Sequence, residues 1–126
     1  MCGILGILSN RNEYLNEKVL NSLSSKLIHR GPDAKGIWLD SNDGIGLAHR
    51  RLSIIDISNA GLQPITSLDK RYVLVFNGEI YNFLEIKKEL NLLFNIDKWQ
   101  GTSDTEVLLK SIQYFGLEVT LQKIEG

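Results

Sequence analysis

Met1-Cys2-Gly3-Ile4-Leu5-Gly6-Ile7 opens the chain and contains its only cysteine. Ile4, Leu5 and Ile7 form a short apolar run that predicts a buried strand over residues 3–8. Gly3 and Gly6 leave room beside that strand for other groups to approach. If the initiator methionine is removed, Cys2 carries a thiol and a free α-amine on one residue. A thiol titrates near pKa ~8.5 and an α-amine near ~8, so the two exchange a proton at neutral pH. The amine then serves as base for the sulfur, and no separate histidine is required. Taken alone, Cys2 also fits a small buried hydrophobe, the usual place of a lone cysteine.

Outward from this stretch, the apolar positions Leu15, Val19, Leu20, Leu23 and Leu27 predict a helix over about residues 13–29, with Asn10 or Asn12 as N-cap. His29-Arg30-Gly31-Pro32-Asp33 follows. Gly31 suits a left-handed helix stop, and Pro32 cannot continue the helix. A second reading is a loop whose Arg30 and Asp33 brace an active site. Residues 36–39 and 45–51 read as antiparallel strands joined at Asp43-Gly44, a good hairpin signal. Residues 52–56 are apolar enough to stay inside, and 58–66 read as a loop. Residues 72–76 read as the clearest strand, running into Asn77-Gly78 as a second hairpin signal. A helix begins at about Asn82, and residues 92–99 read as extended. Ser103 and Glu106 predict a capping box for a helix over 105–115. Gly116 stops it, and residues 117–124 predict a short helix.

At 126 residues the chain is one domain at most. Its net charge of −1, with no basic stripe, gives no footprint for nucleic acid. A single cysteine excludes an internal disulfide framework and a cysteine-rich zinc site. It fits a reducing, cytoplasmic setting, as does a start without signal-peptide character. No apolar run approaches the ~18 residues of a membrane span. His29 and His49 read as structural, and no metal-ligand spacing or phosphate-binding glycine loop stands out.

Several separated motifs now stand in order: Met1-Cys2-Gly3-Ile4, His29-Arg30-Gly31-Pro32-Asp33, Arg51-Leu52-Ser53-Ile54-Ile55-Asp56, Gln63-Pro64, Asn77-Gly78-Glu79-Ile80-Tyr81-Asn82 and Thr102-Ser103-Asp104-Thr105-Glu106. Together they resemble the glutaminase domain of class II glutamine amidotransferases, and its asparagine synthetase branch in particular. The resemblance implies an α+β, N-terminal-nucleophile fold: an αββα sandwich of antiparallel sheets flanked by helices. It implies hydrolysis of glutamine to glutamate and ammonia. The ammonia would pass to a synthetase domain that makes asparagine from aspartate using ATP and magnesium. No cofactor is implied for the glutaminase half.

By the same resemblance Cys2 is the nucleophile, and Asn77 with the backbone of Gly78 forms an oxyanion hole. Arg51, Leu52, Ile54, Asn77, Gly78, Glu79 and Asp104 bind glutamine. Arg51 takes the α-carboxylate; Asp104 and the Glu79 region take the α-amino end. The chemistry is consistent. A guanidinium grips a carboxylate with two parallel hydrogen bonds, and a carboxylate is the natural partner of an ammonium. An amide donor plus a backbone N–H at the developing oxyanion lowers the barrier by ~3–4 kcal/mol per donor.

Each motif also has a plainer reading. Asn77-Gly78 fits a simple turn, Arg51 a solvated strand end, and Asp104 a residue favouring a helix N-terminus. Two other functions remain open: an amidotransferase acting on a different carboxylate, such as a sugar acid or peptide, and a non-catalytic glutamine-binding or assembly module. The resemblance also implies that the family domain continues past Gly126. The expectation is therefore a partial glutaminase domain over residues 1–126 without its synthetase domain. An exposed apolar face or open strand edge would then favour homo-oligomers.

Overall fold

Asp43-Gly44 turns the chain back as its sequence predicts. Gly44 has φ of 70°, a left-handed conformation in which glycine carries no Cβ penalty. Asp40 Oδ1 accepts from the backbone N–H groups of Asn42 (2.9 Å) and Asp43 (3.2 Å), which closes the turn. The computed structural model describes residues 1–11, 13–53 and 61–126. The predicted interior stretch from Ile54 to Asp56, residues 58–60 of the predicted 58–66 loop, and the alternative N-cap Asn12 lie outside them. The described chain forms two compact units. One comprises residues 1–11, 13–53, 62–64 and 74–77; the other comprises 61, 65–73 and 78–126.

In the first unit β1 (Gly3–Leu8), β2 (Ala34–Asp40) and β3 (Ile45–Arg51) form an antiparallel sheet in the order β1-β3-β2. The register sets Gly3 opposite Arg50, and Gly36 opposite His49. Alternation along β3 separates two faces. Gly46, Ala48 and Arg50 face the helix α1 (Glu17–Ser25); Leu47, His49 and Arg51 face away. Gly46 admits this packing, because a Cβ there would meet the side chains of Leu15 and Leu20 at 3.0 Å. β1 is an edge strand, with Ile4 and Leu8 exposed at 49% and 81%.

The predicted helix over 13–29 is shorter than its apolar pattern. Its N-cap is Asn16, whose Oδ1 accepts from Val19 N at 3.0 Å; Asn10 has no such role. Residues 26–30 continue as turns with i→i−3 hydrogen bonds. Gly31 is not left-handed, contrary to expectation. It lies against strand β3, and a Cβ would collide with the Arg50 carbonyl and Arg51 nitrogen.

In the second unit α2 (Phe83–Phe94), α3 (Asp104–Phe115) and α4 (Leu117–Lys123) pack around Ile86, Leu90, Val107, Leu108 and Leu109. Residues 92–94, predicted as extended, stay helical. Phe94 stacks on Tyr114 and Phe115, with ring centroids at 4.8 and 5.4 Å, and this holds the last turn of α2. Asn95, at φ of 53°, ends it. Ser103 caps α3 as predicted, accepting from Thr105 N at 3.1 Å. The capping box is not formed. Glu106 instead accepts from Gln100 N and Gly101 N at 3.0 Å and pairs with Lys110 at 3.1 Å.

Two further predictions fail along residues 72–82. Only β5 (Val73–Leu74) of the predicted 72–76 strand is paired, in a two-stranded sheet with β4 (Ile65–Thr66). Asn77-Gly78 is a bend and not a hairpin turn. The amides that a hairpin needs are taken elsewhere: Ile80 N by Asp104 Oδ2 at 3.0 Å, and Tyr81 N by Glu125 O at 2.7 Å.

Candidate active site

Strand β3 ends in two arginines that point to opposite faces and do different work. Arg50 turns toward α1, where its Nε donates to Ser24 O at 3.1 Å and caps the end of that helix. Arg51 faces away from α1, on the same side as His49. It is 8% exposed, so it is not a solvated strand end. His49 is 1% exposed. Burial pushes its pKa below the usual histidine value, and the nearby Arg51 guanidinium adds to this; a hydrogen bond to the Phe76 backbone opposes both.

Cys2 lies one residue before the paired part of β1, so continuing the register sets it opposite Arg51. Its Sγ accepts from Leu52 N at 3.3 Å and lies 3.7 Å from Leu52 O. The sulfur is half-buried, whereas Met1 is 74% exposed. Arg30 Nε donates to Cys2 O at 3.0 Å. Asp33 N donates to Arg51 O at 3.0 Å, and Asp33 Oδ2 accepts from Ser53 N at 2.8 Å. With Gly31 packed against the Arg50–Arg51 peptide, this loop braces both the thiol and the strand end that carries Arg51. The helix ends before Pro32, and Arg30 and Asp33 tie the backbone of Cys2, Arg51 and Ser53 together.

Asn77 belongs to the same unit and is half-buried. The Phe76 N–H just before it donates to Gln63 Oε1 at 2.6 Å. Sequence reasoning gave no role to Gln63 and set His49 aside. Nothing in their spacing reveals that both side chains meet the Phe76 backbone.

Gly78, Glu79 and Asp104 belong to the second unit. Gly78 and Glu79 are exposed. Asp104 is buried at the start of α3. Its Oδ2 accepts from Ile80 N, while Oδ1 lies 3.4 Å from the hydroxyls of Ser103 and Thr105. The carboxylate therefore anchors the segment that carries Gly78 and Glu79. Ile54 lies outside the described residues. A cavity of about 690 Å³ sits at the far end of β1, lined by Leu8, Arg11, Tyr14 and Asp43 among others, and contains none of these groups.

The whole chain, residues 1–126, matches the glutamine amidotransferase domain family, and the chain belongs to it. It is 38% identical, over 100% of its own length, to glutamine-hydrolyzing asparagine synthetase 1 of Bacillus subtilis, and covers 20% of that protein. It is 41% identical over its whole length to asparagine synthetase B of Escherichia coli, covering 22% of it. Over 93% of its length it is 37% identical to the amidase chry2 of Gibberella zeae, covering 18%. The chain thus spans about a fifth of the length of these curated relatives. No helix among the described residues is long and apolar enough to cross a membrane.

Proposed function

We propose that this domain hydrolyses glutamine to glutamate and ammonia with Cys2 as nucleophile, and that the ammonia serves asparagine synthesis from aspartate. Removal of Met1 frees the α-amine, which takes the thiol proton. The thiolate attacks the side-chain amide carbonyl of glutamine, and negative charge collects on the amide oxygen. Asn77 and the Gly78 N–H stabilise that oxygen. The proton held by the amine passes to the departing nitrogen, so ammonia leaves and a thioester remains. Water then attacks the thioester, returns a proton to the sulfur and releases glutamate. Arg51 pairs with the substrate α-carboxylate, alongside Leu52 and Ile54; Asp104 and Glu79 take the α-ammonium.

The observation that carries this reading is the Cys2 sulfur held at Leu52 N, one residue after the buried Arg51. The three-stranded sheet with α1 on one face supports the finer fold reading, a partial N-terminal-nucleophile αββα sandwich. ATP and magnesium belong to a further synthetase domain, and no step here passes through them. The setting is cytoplasmic, in keeping with a single free cysteine. The test is ammonia release from glutamine, with Cys2→Ala as control. Release that survives Cys2→Ala overturns the assignment.

The similarity to a protein named an amidase favours a second reading for the acceptor: a carboxylate other than aspartate. Supplying aspartate, sugar acids or peptides with ATP and magnesium, and following which one is amidated, separates the two. A domain that binds glutamine but releases no ammonia would instead be an assembly module.

A further inference from the structure

Gln63 is buried, and its Oε1 accepts from Phe76 N at 2.6 Å. The buried His49 imidazole also lies beside the Phe76 backbone. Gln63 is itself seated on the sheet. A Cβ at Gly36, the residue opposite His49, would collide with the Gln63 carbonyl. The Phe76 backbone is therefore held at its N–H by the buried Gln63 and flanked by the buried His49. The next residue is Asn77, one Cα step of ~3.8 Å further along the chain.

We propose that Gln63 is a positioning residue, which holds the Phe76 N–H and, with His49 packed beside the same backbone, aims the Asn77 amide at the oxyanion. This rests on the reading of Asn77 as an oxyanion donor. Such donors act in the transition state, and their effect depends on where they point. A shift of about 1 Å in a catalytic group costs on the order of 10²-fold in rate. Gln63 thereby gains a role that the Gln63-Pro64 motif alone did not indicate.

The test is a mutant cycle on glutamine hydrolysis. Gln63→Met keeps the length of the side chain and removes the acceptor; Gln63→Glu keeps an acceptor oxygen. Asn77→Ala should lower kcat by about 10²–10³-fold. Gln63→Met should lower kcat by about 10–100-fold. Its KM should stay within about threefold, because misaimed donors weaken the transition state more than the ground state. Gln63→Glu should recover most of the rate. In the Asn77→Ala background Gln63→Met should cost almost nothing further, because its effect runs through Asn77. A full additional loss in that background, or no loss in the wild-type background, overturns the proposal. His49→Leu is read in the same cycle and decides the outcome if Gln63→Met does not fold. An unchanged kcat in Asn77→Ala instead overturns the oxyanion reading beneath it, so the two failures are distinct.

Discussion

The Sγ of Cys2 accepts a hydrogen bond from the backbone N–H of Leu52 at 3.3 Å. That contact ties the start of the chain to the residue after Arg51. The sulfur is thus held by main chain, and the main chain is held in turn by the loop from His29 to Asp33.

Gly31 of that loop lies against the Arg50–Arg51 peptide. Gly31→Ala would push a methyl group into the Arg50–Arg51 peptide. Overpacking of this kind costs about 1–3 kcal/mol. Urea unfolding should show that loss, and glutaminase turnover should fall with it because Arg51 and Cys2 share the displaced backbone. A wild-type midpoint in Gly31→Ala would mean that the loop yields freely.

Arg51→Lys keeps the charge and loses the two-pronged grip on a carboxylate. A hydrogen bond to a charged group is worth about 1.5–3 kcal/mol, so KM for glutamine should rise about 10–100-fold. The fall in kcat should be smaller. Steady-state kinetics checks this, and an unchanged KM removes Arg51 from carboxylate binding.

His49 makes stability depend on pH. Its folded pKa lies below the usual histidine value of about 6.5, chiefly through burial. The unfolded chain takes up a proton near pH 6.5 that the folded protein takes up only at lower pH. Stability from this group is therefore complete above about pH 7.5 and declines as pH falls through 6.5, by at most about 1.4 kcal/mol per unit. Urea midpoints at pH 8, 7, 6 and 5 should fall in wild type. His49→Leu should lower the whole curve and flatten this slope. An equal slope in both proteins would assign the acid sensitivity to other groups.

Glu106 is buried, paired with Lys110 and bonded to two backbone amides. Glu106→Ala would leave these donors without their acceptor. Breaking a buried pair costs about 3–5 kcal/mol. Lys110→Ala should cost less, because the carboxylate keeps its two amide donors. Thermal or urea unfolding of both variants reads the difference, and equal losses would contradict it.

The contrast between two Xaa-Gly pairs shows what was legible in the sequence. Asp43-Gly44 and Asn77-Gly78 carry the same local signal, yet only the first turns a hairpin. Its strands find each other across the turn, and local chemistry suffices. Around the second, Phe76 N is taken by Gln63, Ile80 N by Asp104 and Tyr81 N by Glu125. Those partners are 13, 24 and 44 residues away, beyond the reach of a local pattern. Residues 92–94 were misread for the same reason, since aromatic contacts with α3 decide their conformation. Gly31 was correctly singled out and wrongly explained: its need is space beside β3, and not a left-handed φ. At the site, Cys2, Arg51 and Leu52 were named from sequence and lie together. The support from His49 and Gln63 was not foreseen, because it runs through a backbone peptide.

The central claim is that Cys2 works with its own α-amine. Met1 is exposed, so its removal is not hindered by packing. The direct measurement is intact mass and glutamine hydrolysis on one preparation, comparing chains that keep Met1 with chains that have lost it. An acylated nitrogen cannot act as base, and general-base catalysis contributes about 10²–10⁴-fold. The Met1-free form should therefore turn over glutamine at least about 10²-fold faster. Equal turnover by a chain whose mass shows Met1 still attached would contradict the mechanism.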